Sequence, residues 1–262
     1  MNHHSSSMPV LFLAHGSPVA TLSDAPFIGA LRSLGERLPR PRSILMVSAH
    51  WQTPGVRVLG NARPRMIYDF SGFPAELSQL DYPAPGCPDL AARVASLLSE
   101  EQAALDESWG FDHGTWTVLR HLFPAADIPV TQLSLSRRWT PEQHFEAAKK
   151  LRPLREEGVL LCGSGNITHN LSILDWEDPL AEPLPAAVKF DEKIRDRLEA
   201  KDFEAIGRVS LKDPHLREFH PTVDHYLPLV YCCGAAMPDD AVTFPFVGFR
   251  HASLSMRFVQ FA

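Results

Sequence analysis

A chain of 262 residues, 45% hydrophobic and 21% charged, has the composition of an ordinary globular protein with one sizeable core, since cores divide mainly beyond roughly 250–300 residues. Its formal net charge of -6 provides no basic field for nucleic acid or an anionic membrane, so neither is an expected partner. A small molecule is the expected ligand.

No apolar run approaches the roughly 18 residues of a membrane span, and no basic stretch leads into an apolar one at the N-terminus, so a cytoplasmic location is expected. Cys87, Cys162, Cys232 and Cys233 form no CxxC pair and read as reduced, mostly buried thiols. The polar start MNHHSSS reads as a disordered leader or cloning scar over residues 1–8, ahead of one catalytic domain over 9–262. His3 and His4 therefore stay outside the site argument.

In chain order, the apolar run Val10 to Ala14 predicts a buried strand and Pro26 to Leu38 a helix. Ser43 to Ser48 is the next strand, followed by helices over Pro88 to Leu98 and Thr115 to His121. Ile128 to Leu135 (strand), Pro141 to Leu151 (helix), Val159 to Gly163 (strand), Pro185 to Ala200 (helix) and Ser253 to Phe261 (strand) complete the pattern. Pro26, Pro88, Pro141 and Pro185 suit first helical turns, where the missing N–H costs nothing. Strands alternating with helices predict a single α/β domain with a central, mostly parallel or mixed β-sheet flanked by helices.

Such sheets bind ligands beyond the carboxyl ends of their strands. His15 follows VLFLA, His50 follows SILMVSA, and His169 lies in GSGNITHNL after VLLC, so three histidines share that kind of address. His113 in GFDHGTW and His225 in TVDHYLP lie in similar loop-like contexts. Histidines that converge from separate strand ends suit Zn, Fe, Ni or Cu, and no HExxH or paired-cysteine spacing offers a local site instead. Asp112 and Asp224 precede two of these histidines and are read either as turn or cap residues or as partners for a ring N–H. GSGNITHN lacks the ending of a phosphate loop; Gly163 and Gly165 are expected to make a tight turn that presents Asn166 and His169. His121, His144, His215, His220 and His251 read as structural or solvated.

LFLAHGSP, VSAHW, IYDFSGFP, YPAPGCP, GFDHGTW, PVTQLSL, SGNITHNL, DHYLPLVY and SLSM occur in order from Val10 to Met256. With them the chain resembles the class III extradiol ring-cleavage dioxygenases, in the 4,5-DOPA dioxygenase-like branch. The resemblance implies an enzyme that opens a catechol ring with O2, using one Fe(II) per chain or Zn in its place. It implies metal ligands at His15, His50 and His225, an acid/base histidine at His169 and a second active-site histidine at His113. Zn, preferring four ligands, would draw in His169 as well. Trp51, Tyr68, Phe70, Phe73, Trp116 and Tyr226 are either walls of a slot for a flat ring or ordinary core. A zinc hydrolase on the same three histidines and a non-catalytic binding protein of the same fold are the competing readings.

Overall fold

Alternation along the strands divides the interior in two. Val10, Phe12, Leu45, Val47, Leu133 and Leu161 belong to one core, while Leu11, Leu13, Ile44, Met46, Val130 and Leu160 belong to another. Successive strand side chains point to opposite faces, so a sheet with helices on both sides follows from the sequence pattern. The structure, a computed structural model, describes residues 7–23 and 25–262. Most of the predicted leader therefore lies outside the described residues. Met8 is buried, its backbone N–H donating to the Arg155 carbonyl at 3.0 Å and its carbonyl accepting from Arg155 Nε at 2.7 Å.

The strands are β1 (Val10–Ala14), β2 (Ser43–Thr53), β3 (Arg57–Leu59), β4 (Ala104–Asp106), β5 (Val130–Ser136), β6 (Val159–Gly165), β7 (Val242–Thr243), β8 (Phe249–Arg250), β9 (Leu254–Ser255) and β10 (Val259–Phe261). The α-helices are α1 (Pro26–Arg37), α2 (Pro88–Leu97), α3 (His113–Leu122), α4 (Pro141–Lys149), α5 (Pro153–Glu156), α6 (Pro185–Glu199), α7 (Phe203–Gly207), α8 (Pro214–Phe219) and α9 (Leu227–Ala235). Eight strands form one mixed sheet in the order β4-β3-β5-β2-β6-β1-β10-β7. Its central block β5-β2-β6-β1 is parallel, whereas β10 adds to β1 antiparallel and β3 to β5 antiparallel. The predicted α/β single domain with a mixed, helix-flanked sheet is the fold observed.

Two differences have simple causes. α9 escapes prediction because LPLVYCCGA is apolar on every side; all nine residues are buried, and such a helix shows no periodic stripe. Ser253 to Phe261 is two short strands, β9 and β10, separated by Met256, Arg257 and Phe258. Arg257 is buried there and forms an ion pair with Asp191, a demand that interrupts regular pairing. No helix among the described residues is long and apolar enough to cross a membrane.

Parallel pairing brings the strand ends together. Ala14 aligns with Gly165 and Ser48 with Ser164, so whatever follows β1 meets the end of β6 and the stretch of β2 that carries His50. Gly163 lets α9 lie against β6: a Cβ there would stand 2.5 Å from the Pro228 carbonyl oxygen and 2.6 Å from Cys232 Sγ.

Candidate active site

His15 leaves β1 and is buried. Gly16 follows at φ +62, a left-handed conformation that turns the chain away at little steric cost to a glycine. The His15 ring donates from Nδ1 to Ser164 Oγ at 2.9 Å, and Ser164 Oγ donates in turn to the Gly114 carbonyl at 2.5 Å. This relay assigns the proton to Nδ1 and leaves the Nε2 lone pair free. His225, in the turn before α9, donates from Nδ1 to Asp224 Oδ2 at 2.6 Å. Its Nε2 is buried without a partner. His50 Nδ1 stands 3.3 Å from Asp69 Oδ2, and its Nε2 lies 3.1 Å from Nε2 of His15. His15 and His225 thus have Nδ1 hydrogen-bonded by the protein, His50 has its Nδ1 beside Asp69, and on each ring Nε2 points to the other side.

His113 opens α3, whose N-cap is Asp112. Asp112 is fully buried and accepts from Thr115 N–H, Ser48 Oγ and Gln132 Nε2. His113 Nδ1 lies 2.9 Å from Asp69 Oδ1 but its N–H does not align with that oxygen; the backbone N–H of His113 makes the hydrogen bond to Oδ1 instead, at 2.9 Å. Asp69 therefore bridges His50 and His113. Gly114 is required beside them, since a Cβ would stand 2.5 Å from Ser48 Oγ and 2.9 Å from the His50 ring. His169 follows β6 and lies flat on His225, with ring centres 3.4 Å apart and planes within 3°.

Burial dominates the electrostatics. It holds the imidazoles of His15 and His225 well below their ordinary range, the neighbouring histidines adding to the effect, and it lowers His50 against the opposing pull of Asp69. His169 is lowered to about 4 by burial, partly offset by Asp224. Neutral imidazole is the form that ligates a metal. For Asp69, burial raises the pKa, but hydrogen bonding and charge from His113 together with the charge of His50 prevail and hold it below the carboxylate range.

The five histidines singled out in the sequence meet in one place. Ring centres of His15 and His50 lie 4.9 Å apart, those of His50 and His225 5.0 Å, those of His15 and His225 5.2 Å, and those of His50 and His113 3.8 Å. Ligand atoms of His15, His50 and His113 all fall within 4.8 Å of one another, so the geometry offers His113 as well as His225 for a third position. His50 does not end its strand: β2 continues to Thr53, with a register shift against β5 between Val47 and Gln52. That irregularity, of the kind that re-aims side chains beside active sites, is what presents His50. Gly163 and Gly165 make no tight turn; both lie inside β6 and admit α9 and the His225 backbone. Asn166 is fully buried and donates to the Ser255 carbonyl at 2.9 Å.

Asp112 is a cap, while Asp224 is a ring partner, so the two readings divide between them. Trp51, Trp116 and Tyr226 are core. Tyr68, Phe70 and Phe73 form an edge-to-face cluster that reaches His113 through Phe70. His121, His144, His220 and His251 are held by Thr21, Tyr231 with Ser136, Ile167 and Asp175 respectively. Ser164 and Asp69 were not singled out in the sequence, because a serine within a strand and an aspartate 19 residues past His50 carry no local signal of a shared partner.

Imidazoles gathered beside the carboxyl side of the parallel block of a mixed sheet are the arrangement of a metal-dependent α/β enzyme. Residues 6–259 match the family described as the catalytic LigB subunit of aromatic ring-opening dioxygenase. The chain is 42% identical over 261 residues, 98% of its length and 95% of the relative's, to a 4,5-DOPA dioxygenase extradiol of Escherichia coli strain K12. It is 42% identical over 233 residues, 86% of its length and 84% of the relative's, to the protein of the same description from Portulaca grandiflora. A crystal structure of an uncharacterized Escherichia coli K12 protein superposes with a TM-score of 0.84 at 38% identity, covering 97% of this chain and 100% of that one. The chain belongs to the aromatic ring-opening dioxygenase family of catalytic LigB subunits. It is an extradiol ring-cleaving dioxygenase, acting on a small aromatic molecule and O2.

Proposed function

We propose that this dioxygenase opens a catechol, DOPA or a close relative, with one Fe(II) per chain on His15, His50 and His225. The observation that carries the ligand set is the near-equilateral placement of those three rings, each with its Nδ1 side directed at a protein oxygen. Imidazoles bound through single nitrogens at about 2.1 Å, with angles of roughly 90–110°, have ring centres about 4.5–5.2 Å apart and ligating nitrogens about 3.0–3.4 Å apart. The 3.1 Å between Nε2 of His15 and of His50 agrees. The buried, unpartnered Nε2 of His225 is the kind of polar atom that a protein leaves for a ligand.

When bound, the ion supplies positive charge that acidifies the catechol hydroxyls and coordination positions for the catechol oxygens and O2. His169 is placed to take a hydroxyl proton and return it during ring opening, because it enters as the neutral imidazole. Parallel stacking at 3.4 Å on His225 favours this acid/base role, since two rings lying flat on each other do not converge on one ion. His113 assists from beside His50, with the Phe70 ring packed edge-on against it. Zn competes for the same three imidazoles, because no carboxylate ligand biases the site toward iron.

Anaerobic loading with Fe(II), followed by L-DOPA in air, is expected to give ring-opened product and O2 uptake in equal amounts, with no uptake by the Zn-loaded protein. Equal activity with Zn, or product without O2 uptake, would sink the assignment. Asp69 fixes both His50 and His113, so Asp69→Asn is expected to weaken metal binding about 10–100-fold. Competition with a chelator measures this directly; unchanged affinity would remove Asp69 from the metal site's support.

A further inference from the structure

His169 closes a short stretch that is tied down on two sides. After β6 ends at Gly165, the Asn166 backbone N–H donates to the His225 carbonyl at 3.0 Å, and the His169 backbone N–H donates to the Phe219 carbonyl at 2.9 Å. Thr168, between them, is fully buried and reaches the other way, to β9. Its hydroxyl donates to the Ser253 carbonyl at 2.7 Å and accepts from the Ser255 backbone N–H at 2.8 Å. A carbonyl and an N–H two residues apart are the groups that a neighbouring parallel strand would engage with its backbone. Here one side chain engages both, which releases the backbone at Thr168 from pairing and lets it turn to present the next residue, His169. β9 is itself anchored from α6. Ser255 Oγ donates to Asp191 Oδ1 at 2.6 Å, and Arg257 Nε donates to Asp191 Oδ2 at 3.1 Å, all three side chains being buried.

We infer that Thr168 is a positioning residue for ring cleavage: its hydroxyl, fixed on β9 and through Ser255 on Asp191, sets where the His169 ring lies over His225. The inference rests on the acid/base role proposed for His169. One stretch of chain controls both members of the stack, since Asn166 holds the His225 backbone while Thr168 holds the approach to His169. The flat contact at 3.4 Å is thereby referred to β9 rather than to the metal ligands alone. A proton carrier misplaced by about 1 Å loses up to about 100-fold in rate.

The test compares Thr168→Val, nearly equal in volume but without the hydroxyl, with Thr168→Ser, which keeps it, in the Fe(II)-loaded enzyme acting on L-DOPA in air. Thr168→Val is expected to lower kcat about 10–100-fold with KM and iron content as in the wild type, and Thr168→Ser to retain most of the turnover. The deciding comparison is a double-mutant cycle. In a His169→Ala background, Thr168→Val is expected to lower kcat no further. A crystal structure of Thr168→Val, which needs no substrate, is expected to show His169 off the flat stack on His225. Wild-type kcat, loss of iron, equal losses with and without His169, or a ring still lying as in the wild type would each overturn the inference and leave the acid/base role of His169 intact. Wild-type turnover by His169→Ala would instead sink the acid/base role, and the inference with it. Ser255→Ala, which cuts β9 from Asp191 but leaves the threonine in place, carries the same cycle if Thr168→Val does not fold. A smaller loss confined to chains that keep His169 is expected there, and equal losses in both backgrounds would overturn the inference.

Discussion

Replacing His169 by alanine is expected to cut ring-opening turnover by about 10²–10⁴, equivalent to about 3–5 kcal/mol of barrier, with iron content unchanged. The size follows from the loss of one positioned proton carrier, and the selectivity follows from geometry. His169 lies flat against His225 at 3.4 Å, so its removal takes away a packing face and a base but no ligand atom converging on the ion. Single-turnover measurements with metal analysis on the same sample separate the two effects. A variant with wild-type turnover would remove the acid/base role. One that lost iron stoichiometrically would make His169 a ligand, the arrangement a four-coordinate zinc site would use.

His225→Ala should instead abolish metal binding, whereas His113→Ala should retain the ion and lose part of the turnover. This pair of variants decides between the two triads that the structure brings together. His15, His50 and His113 have ligand atoms within 4.8 Å of one another. His15, His50 and His225 have the more even ring spacing, and each of these three has its Nδ1 side directed at Ser164, Asp69 or Asp224. His113 packs 3.8 Å from His50, closer than two rings radiating from one ion comfortably sit, and faces Asp69. Equilibrium dialysis against Fe(II) and Zn, with the metal counted afterwards, is the measurement. Retention of a full equivalent of metal by His225→Ala, with loss by His113→Ala, would transfer the third position to His113.

The electrostatic background favours metal loading at neutral pH. Burial lowers His15, His50 and His225 together, so on the proposed ligand set no proton need be displaced from the rings when an ion binds. The energetic cost of bringing several imidazoles into one buried space falls on the metal-free protein. Loading is accordingly expected to raise thermal stability as well as to enable the reaction.

Much of this protein was legible in the residues alone, for reasons that are local. Five apolar residues running up to His15 and cut off by Gly16 and Pro18 are too short a run for a helix and read as a buried strand. Prolines at helix starts and hydrophobic periodicity placed α1, α2, α4 and α6 within a residue or two. Motifs that keep their order along the chain carried the family and the five histidines. Only the tertiary structure decided the rest, because those features depend on partners distant in sequence. Ser164 meets His15 across 149 positions, and Asp69 reaches two histidines that lie on different elements. α9 has no stripe to betray it, and the strand glycines matter only because a helix lies against them. Side-chain chemistry and spacing specify which elements form; which imidazole nitrogen faces the metal site is set by hydrogen bonds that exist only once the sheet has brought its strand ends together.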